Sequence, residues 1–370
     1  MVPPGTPVSL LRSDCPDCEG QAILEALPVQ KEAPEAPEAA SQATFEFLPP
    51  PMDESTIEGL DYARPPVGDD GENKKAFSGY VNRITPVILA SQIIADMMNR
   101  EIDLDQESVI ESFTSVSTEY RKNLQKAEEA HNIPRGMRLS DGFPKDSEKA
   151  IKRFSRTYIG ADPEKGAFSP GDGLSQRLGL ISLEHDTGEE AVRVRLTEVG
   201  KEALKIKLQR DIEVSTEKHR AAGIKGEISL PKWMSNNDVE RLLRVIENRS
   251  NGEYLWIRYL LEQIDSSISG LTADALVQSE VEREIIETER KRWFDRGSDT
   301  PIVQERQSRG IDEDSICIDL DSKISSTIVG TLSRMKEMSL IFQFKKARKT
   351  YYKSTALGKQ WVHRWDSLDL

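Results

Sequence analysis

The chain is poor in the residues that build disulfide, metal and nucleophilic sites. Three cysteines in 370 residues rule out a disulfide scaffold. The histidines His131, His185, His219 and His363 are scattered, so no ligand set or general-base cluster is in view. Long apolar runs are missing as well. The longest, Pro86 to Met98, is broken by Ser91, Gln92 and Asp96, whereas a membrane helix needs ~18 consecutive apolar residues. No basic flank leads into an apolar core near Met1. The expectation is a soluble intracellular protein, cytoplasmic or nucleoid-associated, with no membrane partner.

Sequence motifs of catalysis are absent too. There is no Gly-Lys-Ser/Thr phosphate loop, no strand followed by G-x-G-x-x-G, no G-x-S-x-G elbow and no His-Glu-x-x-His. Two short segments stand against that reading. Cys15-Pro16-Asp17-Cys18 has zinc-knuckle spacing, but a structural zinc takes four ligands and no second pair follows. Two thiols in a loop is the favoured reading; a knuckle completed by a second copy or a partner is the alternative. Ile316-Cys317-Ile318-Asp319-Leu320-Asp321 reads as a strand with Asp319 and Asp321 on one face, a geometry that holds Mg²⁺ in metal nucleases. No further acids or lysine stand at a telling spacing, so capping of the next helix by Asp321 or Ser322 is favoured, and Cys317 reads as a small core residue. The expectation is a non-enzyme with no cofactor and no metal.

Charge is present in plenty and is unevenly placed. The formal net charge is -13. Residues 1–80 carry 5 Lys/Arg against 15 Asp/Glu, and residues 321–370 carry 10 against 4. The total argues against a surface coated for nonspecific nucleic-acid binding, while the basic end marks a local contact surface.

Along the chain, the text divides into six stretches. Residues 1–28 read as a short Cys-containing β-like segment, and 29–79 as an acidic Pro-rich linker, too poor in large apolar residues to offset chain entropy. Within it Phe45-Glu46-Phe47-Leu48 could dock on a partner, although acidic-aromatic runs of this kind are usually plain linker. Residues 80–145 read as a helical domain. Its first helix follows a Thr85-Pro86 start, and its second, from Asp105, carries Val109, Phe113, Val116, Tyr120 and Leu124 at helical spacing. Residues 146–212 and 272–370 each end in two β-rich runs and a helix, and 213–271 reads as a helical pair with Ser235 as cap and Asn251-Gly252 as turn. The fold class expected is mainly α with small β-hairpins.

Two segments carry a resemblance. Residues 326–341, Ser-Thr-Ile-Val-Gly-Thr-Leu-Ser-Arg-Met-Lys-Glu-Met-Ser-Leu-Ile, followed by the basic run Lys345-Lys346-Ala347-Arg348-Lys349 and by Ala356-Leu357-Gly358-Lys359, resemble the recognition helix, wing and closing helix of winged-helix proteins of the MarR, ArsR and PadR type. Ser339 stands where that family has glycine. Leu174 to Ile181 and Val192-Arg193-Val194-Arg195-Leu196-Thr197-Glu198-Val199-Gly200 form a second match, with an acidic tip, Glu184 to Glu190, in place of a basic wing. The resemblance implies tandem winged helices, at about 166–208 and 315–365, and double-stranded DNA as partner. It implies Ser326, Gly330, Ser333 and Arg334 facing a groove, and Lys345, Lys346, Arg348, Lys349 and Lys353 on phosphates. Ile324, Ile328, Leu332 and Met335 would be the buried stripe of the same helix. A homodimer or another protein partner is expected beside DNA. The competing reading is an adaptor subunit that uses its winged helices for protein contacts; the acidic first tip, the acidic tether and the net charge favour it.

Overall fold

The structure, a computed structural model, describes residues 45–64, 77, 81–100, 102, 104–170, 173–185, 192–208, 210, 212–219, 226–278, 313–346 and 348–368. The chain is mainly helical, with antiparallel two-stranded hairpins. Cys15 and Cys18 lie outside the described residues, as does the acidic tip past His185.

Helix α2, Thr85–Asn99, is apolar on nearly every side, and eleven of its fifteen residues are buried, which makes it the axis of the core. The expected cap, Thr85, is already inside the helix. Ile84 holds the cap position and contributes no side-chain bond. Helix α3, Gln106–Ala130, starts as the sequence predicts: the Asp105 carboxylate accepts the Ser108 N–H at 2.9 Å. Its stripe of Val109, Phe113, Tyr120 and Leu124 is buried. Phe113 stacks on Phe154 of α4, Glu148–Tyr158, at 5.2 Å, and Tyr120 meets Phe143 edge-on at 5.0 Å.

The expected linker over 29–79 is corrected in its middle. Residues 45–64 form a strap closed by the short helix α1, Glu54–Gly59. Phe45, Leu48 and Ile57 are buried, and Phe45 sits edge-on to Tyr120 at 5.7 Å. The prolines hold the backbone extended, and three large apolar side chains suffice to seat it on the core. The docking motif at Phe45–Leu48 therefore docks on its own chain.

The first half continues with a small hairpin, β1 Ala161–Asp162 and β2 Ala167–Phe168, then the single-turn helix α5, Leu174–Arg177. Strands β3, Ile181–His185, and β4, Val192–Leu196, pair antiparallel, with Leu183 opposite Val194, and lead into α6, Glu198–Leu204. Glu184, the first residue of the expected acidic tip, is still strand.

Residues 213–271 are not simply a helical pair. They open with the longest hairpin among the described residues, β5 Glu213–His219 with β6 Gly226–Lys232. Only then come α7, Asn236–Arg249, capped by Ser235 as predicted, and α8, Asn251–Ser266. Thr272 caps the short α9, Ala273–Gln278, through a 3.0 Å bond from the Ala275 N–H.

The strand expected at Ile316–Asp321 is not a strand. One helix, α10, runs from Glu313 to Glu337. Asp319 and Asp321 are two apart on a helix, positions that do not share a face. This removes the geometry on which the Mg²⁺ reading rested, and with it Asp321 or Ser322 as a helix cap. Strands β7, Ile341–Lys346, and β8, Lys349–Ser354, follow as a hairpin, and α11, Ala356–Leu368, closes the chain.

The two halves repeat one local device. Thr197 and Thr355 each donate a backbone N–H at 3.0 Å to the carbonyl before the first strand, Leu180 and Leu340 respectively. Each hydroxyl then donates one residue further back, to the Gly179 and Ser339 carbonyls, and accepts the N–H of the glycine three residues on. A Cβ on Gly200 would lie 2.3 Å from the Leu180 carbonyl, and one on Gly358 2.1 Å from that of Leu340, so both positions exclude side chains. On the far edge of each second strand a single leucine pairs. Val194 N–H reaches Leu104 at 2.9 Å and Tyr352 N–H reaches Leu271 at 2.7 Å.

Candidate nucleic-acid interface

The basic run at 345–349 folds into the tip of the β7–β8 hairpin. Lys346 pairs with Lys349 across it, and Arg348 takes a positive φ of 66° at the turn. Lys345, Lys346, Arg348 and Lys349 are all exposed, and among the described residues none has an ion-pair partner. Four cations within five residues concentrate positive potential at the hairpin tip. Period-two alternation sets Lys346, Lys349, Phe344, Tyr351 and Lys353 on one face. Phe344 stacks on Tyr351 there at 5.6 Å, which stiffens the strand pair below the tip. Lys353 is different from the tip lysines: it is half-buried and donates to the Ile268 carbonyl at 2.8 Å.

The four expected groove-facing residues are not brought to a surface together. Gly330 is buried, and Ser326 and Ser333 are half-buried. Arg334 is fully buried, which corrects the expectation most sharply. Its guanidinium pairs with the Glu253 carboxylate on α8 at 2.6 Å, donates to the Val81 carbonyl and lies 4.7 Å over the Phe77 ring. The physical reason is that α10 is sandwiched. Ile328, Leu332 and Met335 face the core as predicted, but the first half of the chain covers the opposite side. Arg83 reaches the Ser333 carbonyl at 3.0 Å and the Arg138 carbonyl at 2.7 Å. Lys336 donates to the Gly136 carbonyl and to Gln343, both at 2.8 Å. Burial, with the Arg83 charge adding to it, pushes the Lys336 ammonium down to about 7.

Glu337 completes this seam. Its carboxylate accepts the Ile84 N–H at 2.7 Å, the Thr85 N–H at 2.6 Å and the Thr85 hydroxyl. Burial pushes its carboxyl above the usual range, against the pull of Arg83 and these donors. Glu128 has the same role nearer home, accepting from the Leu139 and Ser140 N–H groups at 2.6 and 2.9 Å.

Sequence reasoning passed over Glu253, Glu337, Arg83 and Lys336. Glu253 had a signal: it stands on the apolar stripe that continues through Trp256, Ile257, Leu260 and Ile264, where a lone carboxylate calls for a buried partner. Arg83 and Glu337 had none, since each stands at a helix edge amid ordinary text.

Among the described residues no three metal-ligating side chains converge, and no helix is long and apolar enough to cross a membrane. No protein-family model, curated protein or solved structure matches the chain.

Proposed function

We propose that the protein is a non-enzymatic DNA-binding subunit, built on two winged-helix modules, that grips duplex phosphates through the tip of the β7–β8 hairpin. The observation that carries this is the set of four exposed cations, Lys345, Lys346, Arg348 and Lys349, at a two-stranded hairpin tip, with no ion-pair partner among the described residues. Phosphate contacts of this kind supply affinity without sequence information. The burial of Gly330 and Arg334 argues against base reading by α10, so binding is expected to be indifferent to sequence. If each tip cation neutralises one phosphate, the log–log salt slope is about -3.6.

Anisotropy of the full chain on a random duplex, across a salt series, tests this directly. Charge reversal of Lys345, Lys346, Arg348 and Lys349 to Glu is expected to abolish binding and leave thermal unfolding unchanged, as all four are exposed. A folded variant with undiminished affinity would overturn the proposal.

One observation favours the adaptor reading instead. The last two turns of α10, the part the resemblance assigns to a DNA groove, are used for contact within the protein, through Arg334, Lys336 and Glu337. An adaptor of this kind would show weak duplex affinity and a stable stoichiometric protein partner on native size exclusion.

A further inference from the structure

The repeated threonine–glycine device puts the two hairpins in register, so cations can be compared position by position. Two residues before the threonine stand Arg195 and Lys353; four residues after it stand Lys201 and Lys359. The first pair is occupied. Asp61 of the strap bonds to Arg195, and Glu58, three residues earlier, bonds to Lys201. The strap then runs extended, and the Ala63 N–H donates to the Leu196 carbonyl at 2.8 Å. Leu60 and Asp61 share a groove with Ile102, Leu104, Arg193 and Arg195, so an apolar residue accompanies the acidic pair. An acidic one-and-a-half-turn helix followed by an extended edge thus covers the first hairpin's base.

Among the described residues no acidic strap covers the second pair. Lys359 is exposed and forms no ion pair among the described residues; Lys353 donates to the Ile268 carbonyl, and the carboxylate that acts on it, that of Asp265, also accepts the Ser354 hydroxyl. The Lys353 ammonium lies near enough to Lys359 to be pushed down by it, after the larger effect of its own partial burial. Ile268, in the loop that precedes the pairing leucine, is 87% exposed, while Ile102 in the corresponding loop of the first half is 45% exposed. Two cations and a bare isoleucine stand where the first half has two cations under acidic polypeptide and a half-exposed isoleucine beside it.

We propose that the Lys353–Lys359–Ile268 surface is the docking site for an acidic segment of a partner protein, a short helix with two carboxylates three residues apart followed by an extended stretch. The occupant is polypeptide because the equivalent surface of the same chain already takes that chemistry. The site lies at the base of the hairpin, away from the tip cations, so the proposal stands apart from the DNA-binding reading.

The probe is a fluorescein-labelled peptide of residues 51–64, PMDESTIEGLDYAR, titrated with the full chain, whose own strap keeps the first site filled. Binding is expected, weakened at least tenfold by Lys353→Glu with Lys359→Glu, and unchanged by charge reversal of the four tip residues. Lys359→Glu alone, at a fully exposed position, is expected to weaken it in the same direction and guards against misfolding of the double variant. A peptide carrying Glu58→Lys and Asp61→Arg should fail on the native chain and bind the doubly reversed one. No binding by the native chain, or binding indifferent to Lys353 and Lys359, overturns the proposal. It also falls if the double variant loses duplex DNA and not peptide, or if it abolishes a concentration-dependent dimer, which would assign the surface to nucleic acid or to a second copy's strap.

Discussion

Glu337 caps a helix that begins 252 residues before it: its carboxylate accepts the Ile84 N–H at 2.7 Å and closes the amino terminus of α2. A helix start normally finds its acceptor in its own first turn. Here the apolar Ile84 occupies the cap position, and the last turn of α10 supplies what is missing. The same contact buries the helix that the resemblance assigns to a DNA groove.

Removing that carboxylate leaves two buried N–H groups unpaired, each worth 1–3 kcal/mol. Glu337→Ala is therefore expected to cost about 2–4 kcal/mol in a urea titration. Asp105→Ala, which removes a local side-chain cap, should cost about 1 kcal/mol. Equal losses would show that the long-range cap carries no special weight.

Arg334 separates the two views of α10. As a groove-facing residue, its loss would weaken DNA binding and spare stability. Buried against Glu253, with one carboxylate oxygen, Oε2, already lacking a hydrogen bond, it should do the reverse. Arg334→Met is expected to destabilise the fold by about 3–5 kcal/mol by stranding a buried charge. Pairing it with Glu253→Leu should recover much of that loss, and a cycle of the four proteins measures the coupling.

Lys336 makes a pH signature. Its ammonium is pushed down to about 7 by burial and by Arg83, against an ordinary value of 10.5. Between those values the unfolded chain holds more protons than the folded one, so this group's penalty fades as pH rises through the window. Compared with Lys336→Met, the native chain should gain at most about 1.4 kcal/mol per pH unit from pH 8 to 10. A difference between the two proteins that stays constant over that range would place the ammonium in water.

Ser339 adopts φ 56° at the end of α10, where Gly179 adopts φ 68° in the first half. A serine pays backbone strain there that glycine does not. Its hydroxyl oxygen is also buried without a partner. Ser339→Gly should raise stability by about 1 kcal/mol and Gly179→Ser should lower it by a similar amount. A loss of stability in Ser339→Gly, or a gain in Gly179→Ser, would break the equivalence of the two hairpins.

What the sequence determined by itself was local. Spacing of apolar residues fixed α3, α7 and α8, and Asp105, Ser235 and Thr272 marked three helix starts, because a cap and a stripe are set within a few residues. The β3–β4 and β7–β8 hairpins and the basic tip of the second were also legible, as was the mainly helical class. The β5–β6 hairpin left its mark in Val214, Thr216, Ile228 and Leu230, β-favouring residues at alternate positions that went unread. Tertiary structure decided the rest. A strap rich in proline is ordered because Phe45, Leu48 and Ile57 find pockets that no local pattern announces. Ile316–Asp321 belongs to a long helix, although its alternation reads as strand. Arg334, exposed on any helical projection of its own segment, is buried because the first half of the chain closes over it. Local sequence sets which face of an element is apolar, while the fate of its polar face depends on what distant chain is brought against it.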